Sequence, residues 1–204
     1  RGEEAGYREV ILNCGCPREG VQAGGFGGCL MGAPALVADC VAAMKQAVRV
    51  PVTVKFRIGI VDRAAEGGTA AAVAAAERFE ELDRAALESF AGLLRAAGTD
   101  VLIVHARKAV LGGLSPHENR TVPPLRYDVV AQLRAALPGV PVVVNGGVRT
   151  REAALDALER ADGVMIGREA YHRPALLAEI EAALQPEPPG CDWPVLRATP
   201  RTAR

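Results

Sequence analysis

The sequence predicts an α/β fold built on a parallel sheet, and three observations carry that expectation. Short β-branched runs alternate with stretches of helical apolar spacing about five times along the 204 residues, the pattern of strand–helix–strand crossovers. One run, at 50–58, places Thr53, Lys55 and Arg57 opposite Val52, Val54, Phe56 and Ile58, so a single strand has a polar and an apolar face. Glycines follow the last two strands, at Gly146-Gly147 and Gly167. Polar residues inside strands suit the interior of a (β/α)8 barrel better than an open doubly wound sheet. A complete barrel takes about 250 residues, so the expected architecture is a partial (β/α)8 barrel, about the last five βα units.

Residues 10–17, VILNCGCP, read as a strand running into a Gly/Pro turn. Asn13, Cys14 and Cys16 then stand at its carboxyl end, where parallel sheets present their chemistry. A glycine-rich connection at 20–32 leads to Pro34, a natural first helical residue, and Leu36, Val37, Cys40, Val41, Met44 and Val48 continue one helical face. After the strand at 50–58, residues 62–97 are Ala-rich and interrupted by Gly67-Gly68. They are expected as an exposed insertion leading into one or two solvated helices, with Phe79, Leu82, Leu87, Phe90, Leu93 and Leu94 as core candidates.

Residues 101–106 form a third strand, with His105 and Arg107 on one face at its end. Breakers at Gly112, Gly113, Pro116, Pro123 and Pro124 make 108–124 a functional loop rather than an element. Val129, Val130, Leu133 and Leu137 mark a helix, 140–145 a fourth strand closed by Gly146-Gly147, and Thr150 the start of another helix. A fifth strand at 163–166 precedes Gly167-Arg168, and 176–184 closes the periodic part. Residues 1–184 are thus expected to form an incomplete barrel domain, and 185–204, with Pro186, Pro188, Pro189 and Gly190, a linker or tail.

Composition narrows the function. Half of the residues are apolar, and 24 basic residues balance 24 acidic ones, so nothing overall marks a nucleic-acid or membrane surface and any polyanion must meet a local patch. Cys14, Cys16, Cys29, Cys40 and Cys191 are an odd set in a chain too long for a disulfide scaffold, which favours a reducing, cytoplasmic setting. No run is long enough for a membrane span and no signal peptide opens the chain. Zinc ligation by Cys14, Cys16 and Cys29 lacks the usual spacing and a fourth ligand. On the residues alone, Cys14, Cys16, Cys29 and Cys40 fit packing, Cys191 a tail thiol, His105 a core histidine, and His117 and His172 surface positions. Arg201 and Arg204 are two charges at the chain end. Lys55 stands out because the only other lysines are Lys45 and Lys108.

A wider pattern changes that balance. NCGCP at 13–17, GGFGGCLM at 24–31, PVTVKFRIG at 51–59, VHARKA at 104–109, GLSPHENR at 113–120, PPLRY at 123–127, NGG at 145–147 and DGVMIGREAY at 162–171 stand in one order. Together they resemble the tRNA-dihydrouridine synthases, A subgroup, over about residues 10–177. The resemblance implies an FMN enzyme on a (β/α)8 barrel that reduces the 5,6 double bond of uridines in the tRNA D-loop, with NADPH reloading the flavin. It implies that Cys16 protonates C5 while hydride reaches C6, and a cysteine thiol, titrating ordinarily near 8.5, carries a proton at neutral pH. Lys55, His105, Asn145, Gly146, Gly147, Gly167 and Arg168 match the flavin site. There Lys55 would sit near the ring edge that gains negative charge, and the glycines near the phosphate. Asn13, Arg57, Arg107, Asn119 and Arg120 match substrate contacts.

The partner implied is tRNA, with no metal, no membrane and no obligate protein partner. Residues 62–84 are longer than the family's connection, and the family's first three strands and its helical tRNA domain lie outside this sequence. The chain therefore reads as a fragment of such an enzyme. The rival readings are another FMN barrel of the dihydroorotate dehydrogenase kind, which has no need of the GLSPHENR loop, and an inactive tRNA-binding chain.

Overall fold

A computed structural model describes residues 2–185; the expected linker from Pro186 to Gly190, Cys191, Arg201 and Arg204 lie outside the described residues. The chain runs β1 (Val10–Asn13), α1 (Glu19–Gln22), a 3-10 turn (Gly27–Gly32), α2 (Pro34–Ala47), β2 (Val52–Arg57) and β3 (Ile60–Asp62). It continues through α3 (Thr69–Glu77), α4 (Glu81–Ala96), β4 (Val101–His105), β5 (Ala109–Leu111) and a second 3-10 turn (Glu118–Arg120). Then follow α5 (Tyr127–Ala136), β6 (Val142–Asn145), α6 (Arg151–Arg160), β7 (Gly163–Met165), α7 (Arg168–His172) and α8 (Ala175–Leu184).

The main sheet is parallel throughout, in the order β1-β2-β4-β6-β7. Strands lie side by side in chain order with no reversal, whereas a doubly wound sheet reverses at its switch point. One apolar face of the sheet, Val52, Val54, Phe56, Leu102, Val104, Val142 and Val144, forms a single buried cluster with Val37 and Val41 of α2, Leu87, Phe90 and Leu94 of α4, Val129, Val130 and Leu133 of α5, and Ala157 of α6. Among the described residues these four helices therefore cover one side of the sheet, and the other side is an interior. This is a partial (β/α)8 barrel, as the alternation in residues 50–58 predicts.

The amino ends of two strands are pinned by the same device. Asp100, immediately before β4, accepts the Val52 N–H and pairs with Lys45 of α2. Asp162, immediately before β7, accepts the Val142 N–H and pairs with Arg134 of α5. Both strands follow a proline, Pro51 and Pro141, and the carboxylates occupy N–H groups at the first residue that has one.

Several local expectations need correction. The segment 108–124 is not wholly loop: Ala109–Leu111 pairs in parallel with Ile60–Asp62 as a separate two-stranded sheet. The Ala-rich stretch is not merely solvated, because Ala72 and Ala76 of α3 are buried against Val61 and Val110 of that small sheet. Three-residue strands carry too little periodicity to be read from sequence. Cys40 is exposed rather than packed, and Leu36, Leu82 and Leu93 also face outward, off the faces that Val37, Val41, Leu87 and Leu94 bury.

Candidate active site

Parallel register lines up the interior side chains in rows. Asn13 of β1 stands beside Lys55 of β2. One step towards the carboxyl ends, Arg57 stands beside His105, His105 beside Asn145, and Asn145 beside Met165. Lys55 and Arg57, with Asn13, His105 and Asn145 from the neighbouring strands, thus arrive at the carboxyl end of the sheet, while Thr53, on the same face of β2, stays near the amino end.

The turn after β1 divides its two cysteines. Cys14 is fully buried on the helix side and burial pushes its thiol up to about 12, with Cys40 and Cys29 adding smaller contributions. It is a packing residue. Cys16 is half-buried, and its turn is braced: Asn13 Oδ1 accepts the Gly15 N–H at 3.0 Å and the Cys16 carbonyl accepts the Gly28 N–H at 2.7 Å. Gly27, at φ +74°, approaches so closely that a Cβ there would lie 2.7 Å from the Cys16 carbonyl oxygen. Only glycine serves at that position. Cys29 instead donates to the Phe26 carbonyl, inside the same turn.

Cations crowd this end of the sheet. Arg57 is 3% exposed and has no carboxylate partner among the described residues. Its Nε donates to the Gly15 carbonyl, and its Nη1 to the carbonyls of Lys108 and Asn119. Burial, then Arg107 and Arg120, lower it to about 10, opposed by Cys16, so it stays charged at neutral pH. Burial, and then Arg57, lower Lys55 to about 8, again opposed by Cys16. Burial followed by Arg57, Lys55, Arg107 and Arg168 drives His105 down to about 2, which fixes a neutral imidazole. Arg107 lies further out, donating to the Pro123 carbonyl while its buried Nε has no partner among the described residues.

Beside this cluster opens a cavity of about 330 Å³, lined by His105, Arg120, Asn145, Gly146, Gly147, Arg149, Gly167 and Arg168, with Glu169 as its carboxylate. Gly146 and Gly147 have φ of +114° and +74°. A Cβ on the first would lie 2.6 Å from the His105 ring, and on the second 2.4 Å from Leu125, so the backbone itself forms the wall. The Gly146 carbonyl accepts the Tyr127 hydroxyl, and Asn145 Nδ2 donates to the Met165 carbonyl at 2.8 Å. The donor set fits a phosphate group: backbone at a glycine pair with two arginines, Arg149 and Arg168, beside it.

The predicted residues thus fall into two adjoining groups. Asn13, Cys16, Lys55 and Arg57 form one; His105, Asn145, Gly146, Gly147, Gly167, Arg168 and Arg120 line the cavity. Arg107 feels Arg168 and Arg149 and bridges towards the second group. The structure splits the Asn119-Arg120 pair, since Arg120 lines the cavity while Asn119 is fully buried beneath it. Sequence reasoning missed Arg149, two residues beyond the glycine pair, and Tyr127, whose hydroxyl braces it. It also missed the close packing of Gly27-Gly28 on Cys16, for which the doubled glycines of GGFGG were the available signal.

Comparison with known proteins gives a consistent result. Residues 1–201 match the family model described as Dihydrouridine synthase (Dus). The chain is 50% identical over 194 residues to a tRNA-dihydrouridine(20/20a) synthase of Pseudomonas putida, covering 95% of this chain and 51% of that protein. It is 52% identical over 182 residues to the protein of the same name from Pseudomonas aeruginosa, covering 89% and 49%. A dihydrodipicolinate synthase from Agrobacterium tumefaciens, 14% identical, aligns over 90% of this chain and 51% of its own with a TM-score of 0.49. The chain spans about half the length of the curated relatives it matches.

Proposed function

The chain belongs to the dihydrouridine synthase family, and from that premise we propose that it works in the A-subgroup reaction, the FMN-dependent, NADPH-driven reduction of uridine to 5,6-dihydrouridine in the tRNA D-loop. The observation that carries this reading is the register. It brings Asn13 beside Lys55, Arg57 beside His105 and His105 beside Asn145, at the sheet end where the Cys16 turn and the glycine-lined cavity also lie.

Gly146, Gly147, Gly167, Arg149 and Arg168 would hold the FMN phosphate in this reading, with neutral His105 and Asn145 beside it. The chemistry that FMN would supply here, once bound and reduced by NADPH, is a hydride for C6 of the uracil ring. Lys55 places a cation where negative charge collects, in a setting from which water is partly excluded. Asn13 Oδ1 is occupied by the Gly15 N–H, which turns its Nδ2 into the donor available to a pyrimidine carbonyl. Arg57 is held at Nε and Nη1, so Nη2 remains for a second carbonyl. Cys16 transfers its Sγ proton to C5 and is reprotonated from solvent, so that one hydride at C6 and one proton at C5 complete the reduction of the double bond. Arg120, at the cavity, meets a phosphate of tRNA, a local cation on a chain of zero net charge.

The purified protein should show flavin absorbance, and with NADPH it should form dihydrouridine in unmodified tRNA transcripts. Cys16→Ala should retain flavin and tRNA binding while losing product by about 100-fold or more, the scale of a removed general acid. Wild-type turnover in that variant refutes the proton-donor role.

A further inference from the structure

Asn119 sits in the loop where substrate contact is expected, yet its side chain is inaccessible. It is 0% exposed. Its Oδ1 accepts the Val110 N–H at 2.8 Å, and its Nδ2 donates to the Val110 carbonyl at 3.0 Å and the Leu114 carbonyl at 3.2 Å. One amide thus satisfies both backbone groups of Val110, as a neighbouring strand would, and docks the Glu118–Arg120 turn onto the edge of β5. No polar atom of this side chain is left for a substrate. Its backbone carbonyl, fixed by the same docking, is one of the two acceptors shared by Arg57 Nη1, at 2.9 Å.

Arg57 depends on that carbonyl more than a surface arginine would. It is buried, it has no carboxylate partner among the described residues, and three carbonyls alone set the plane of its guanidinium. Those carbonyls come from three segments: the Cys16 turn, the β4–β5 connection and the Asn119 turn. Moving one of them re-aims the fork, because a guanidinium's donors keep a fixed planar geometry. The next residue, Arg120, lines the cavity, so the same docking also places that cation.

We propose that Asn119 is a positioning residue that acts through Arg57: its amide locks the carbonyl that orients the guanidinium, and thereby sets Nη2 towards the reacting pyrimidine. This rests on the uridine-reductase reading given above. It assigns to Asn119 a role in the half-reaction with tRNA and none in the half-reaction with NADPH.

The test is a double-mutant cycle on the full chain with Asn119→Ser and Arg57→Lys, measuring flavin reduction by NADPH and, separately, anaerobic reoxidation of the reduced flavin by an unmodified tRNA transcript. Asn119→Ser should slow reoxidation about 10- to 100-fold, the cost of a misplacement near 1 Å, and leave reduction by NADPH within about two-fold. The double variant should be no slower than the slower single variant, since both changes disable the same group. Multiplying losses, or an unchanged reoxidation rate in Asn119→Ser, overturn the proposal. Should Asn119→Ser lose its flavin, Asn119→Asp, which keeps the acceptor for the Val110 N–H, replaces it in the cycle; loss of flavin in both makes Asn119 a general folding residue and also overturns the proposal. If wild-type protein fails to transfer electrons to tRNA at all, the parent reading has failed instead.

Discussion

Lys55 is the residue whose charge state is set most sharply by its surroundings within the physiological range. Burial and the Arg57 guanidinium lower it to about 8, so it is cationic at neutral pH and loses its charge as pH rises through that value. An anion bound beside it stabilises the cation and raises that value in the complex. Affinity for FMN should therefore be flat below pH 8 and fall above it, by up to about ten-fold per unit. Lys55→Met should bind more weakly at pH 7 and show no such fall. Equal pH profiles for the two proteins, measured by flavin titration, contradict the assignment. Much of this residue was legible in the sequence: a rare lysine in an alternating strand had to face the interior. Its value near 8 was not, because it depends on burial first, then on Arg57 two residues on, and on Cys16 in the turn after β1, which opposes them. Arg57 likewise was foreseeable as an interior cation, whereas its three carbonyl partners come from segments 42, 51 and 62 residues away.

The connection after β6 is shaped by two positive-φ glycines whose missing Cβ atoms make room for His105 and Leu125. Gly147→Ala should cost at least about ten-fold in flavin affinity, from backbone strain and displacement of the wall together, with the melting temperature of the flavin-free protein as the control for folding. At the opposite end of the sheet, Asp100 and Asp162 hold β2 and β6. Burial raises both carboxylates, but for Asp162 the Val142 N–H and Arg134, and for Asp100 Lys45 and the Val52 N–H, outweigh it and leave each below the usual carboxylate range.

The sign follows directly. A depressed folded-state value contributes stability that is complete above about pH 4, the ordinary Asp range, and is lost as pH falls through the lowered one. Asp162→Ala should destabilise by about 1–3 kcal/mol, chiefly by orphaning the Val142 N–H. Asp162→Asn, which keeps an acceptor, should flatten the acid limb of the stability curve measured by denaturant unfolding. The strand–helix alternation that organises these elements was readable from periodicity. The small β3–β5 sheet was not, because three residues show no period and its pairing joins segments about 50 residues apart.

Over the whole molecule, chain order and sheet order coincide, helices cover one face, and the other face collects polar residues at its carboxyl end. That arrangement follows from the repeated strand–helix alternation together with the polar and apolar faces of β2, so the fold class was the most legible feature of the sequence. The division of labour among the site residues was the least, since Cys14 and Cys16 share residue type and motif and differ in burial, and the adjacent Asn119 and Arg120 of one motif are separated by burial in the same way. The chain spans about half the length of its curated relatives, and the cavity it forms is bordered by its own glycines and arginines. Every role proposed for these residues presupposes electron transfer from a bound flavin to tRNA. That transfer is tested most directly by reducing the purified flavoprotein with one equivalent of NADPH under anaerobic conditions and adding either an unmodified tRNA transcript or orotate. The account predicts flavin reoxidation by the transcript, none by orotate, and reoxidation slowed at least about 100-fold in Cys16→Ala; reoxidation by orotate alone, or equal rates in wild type and Cys16→Ala, would contradict it.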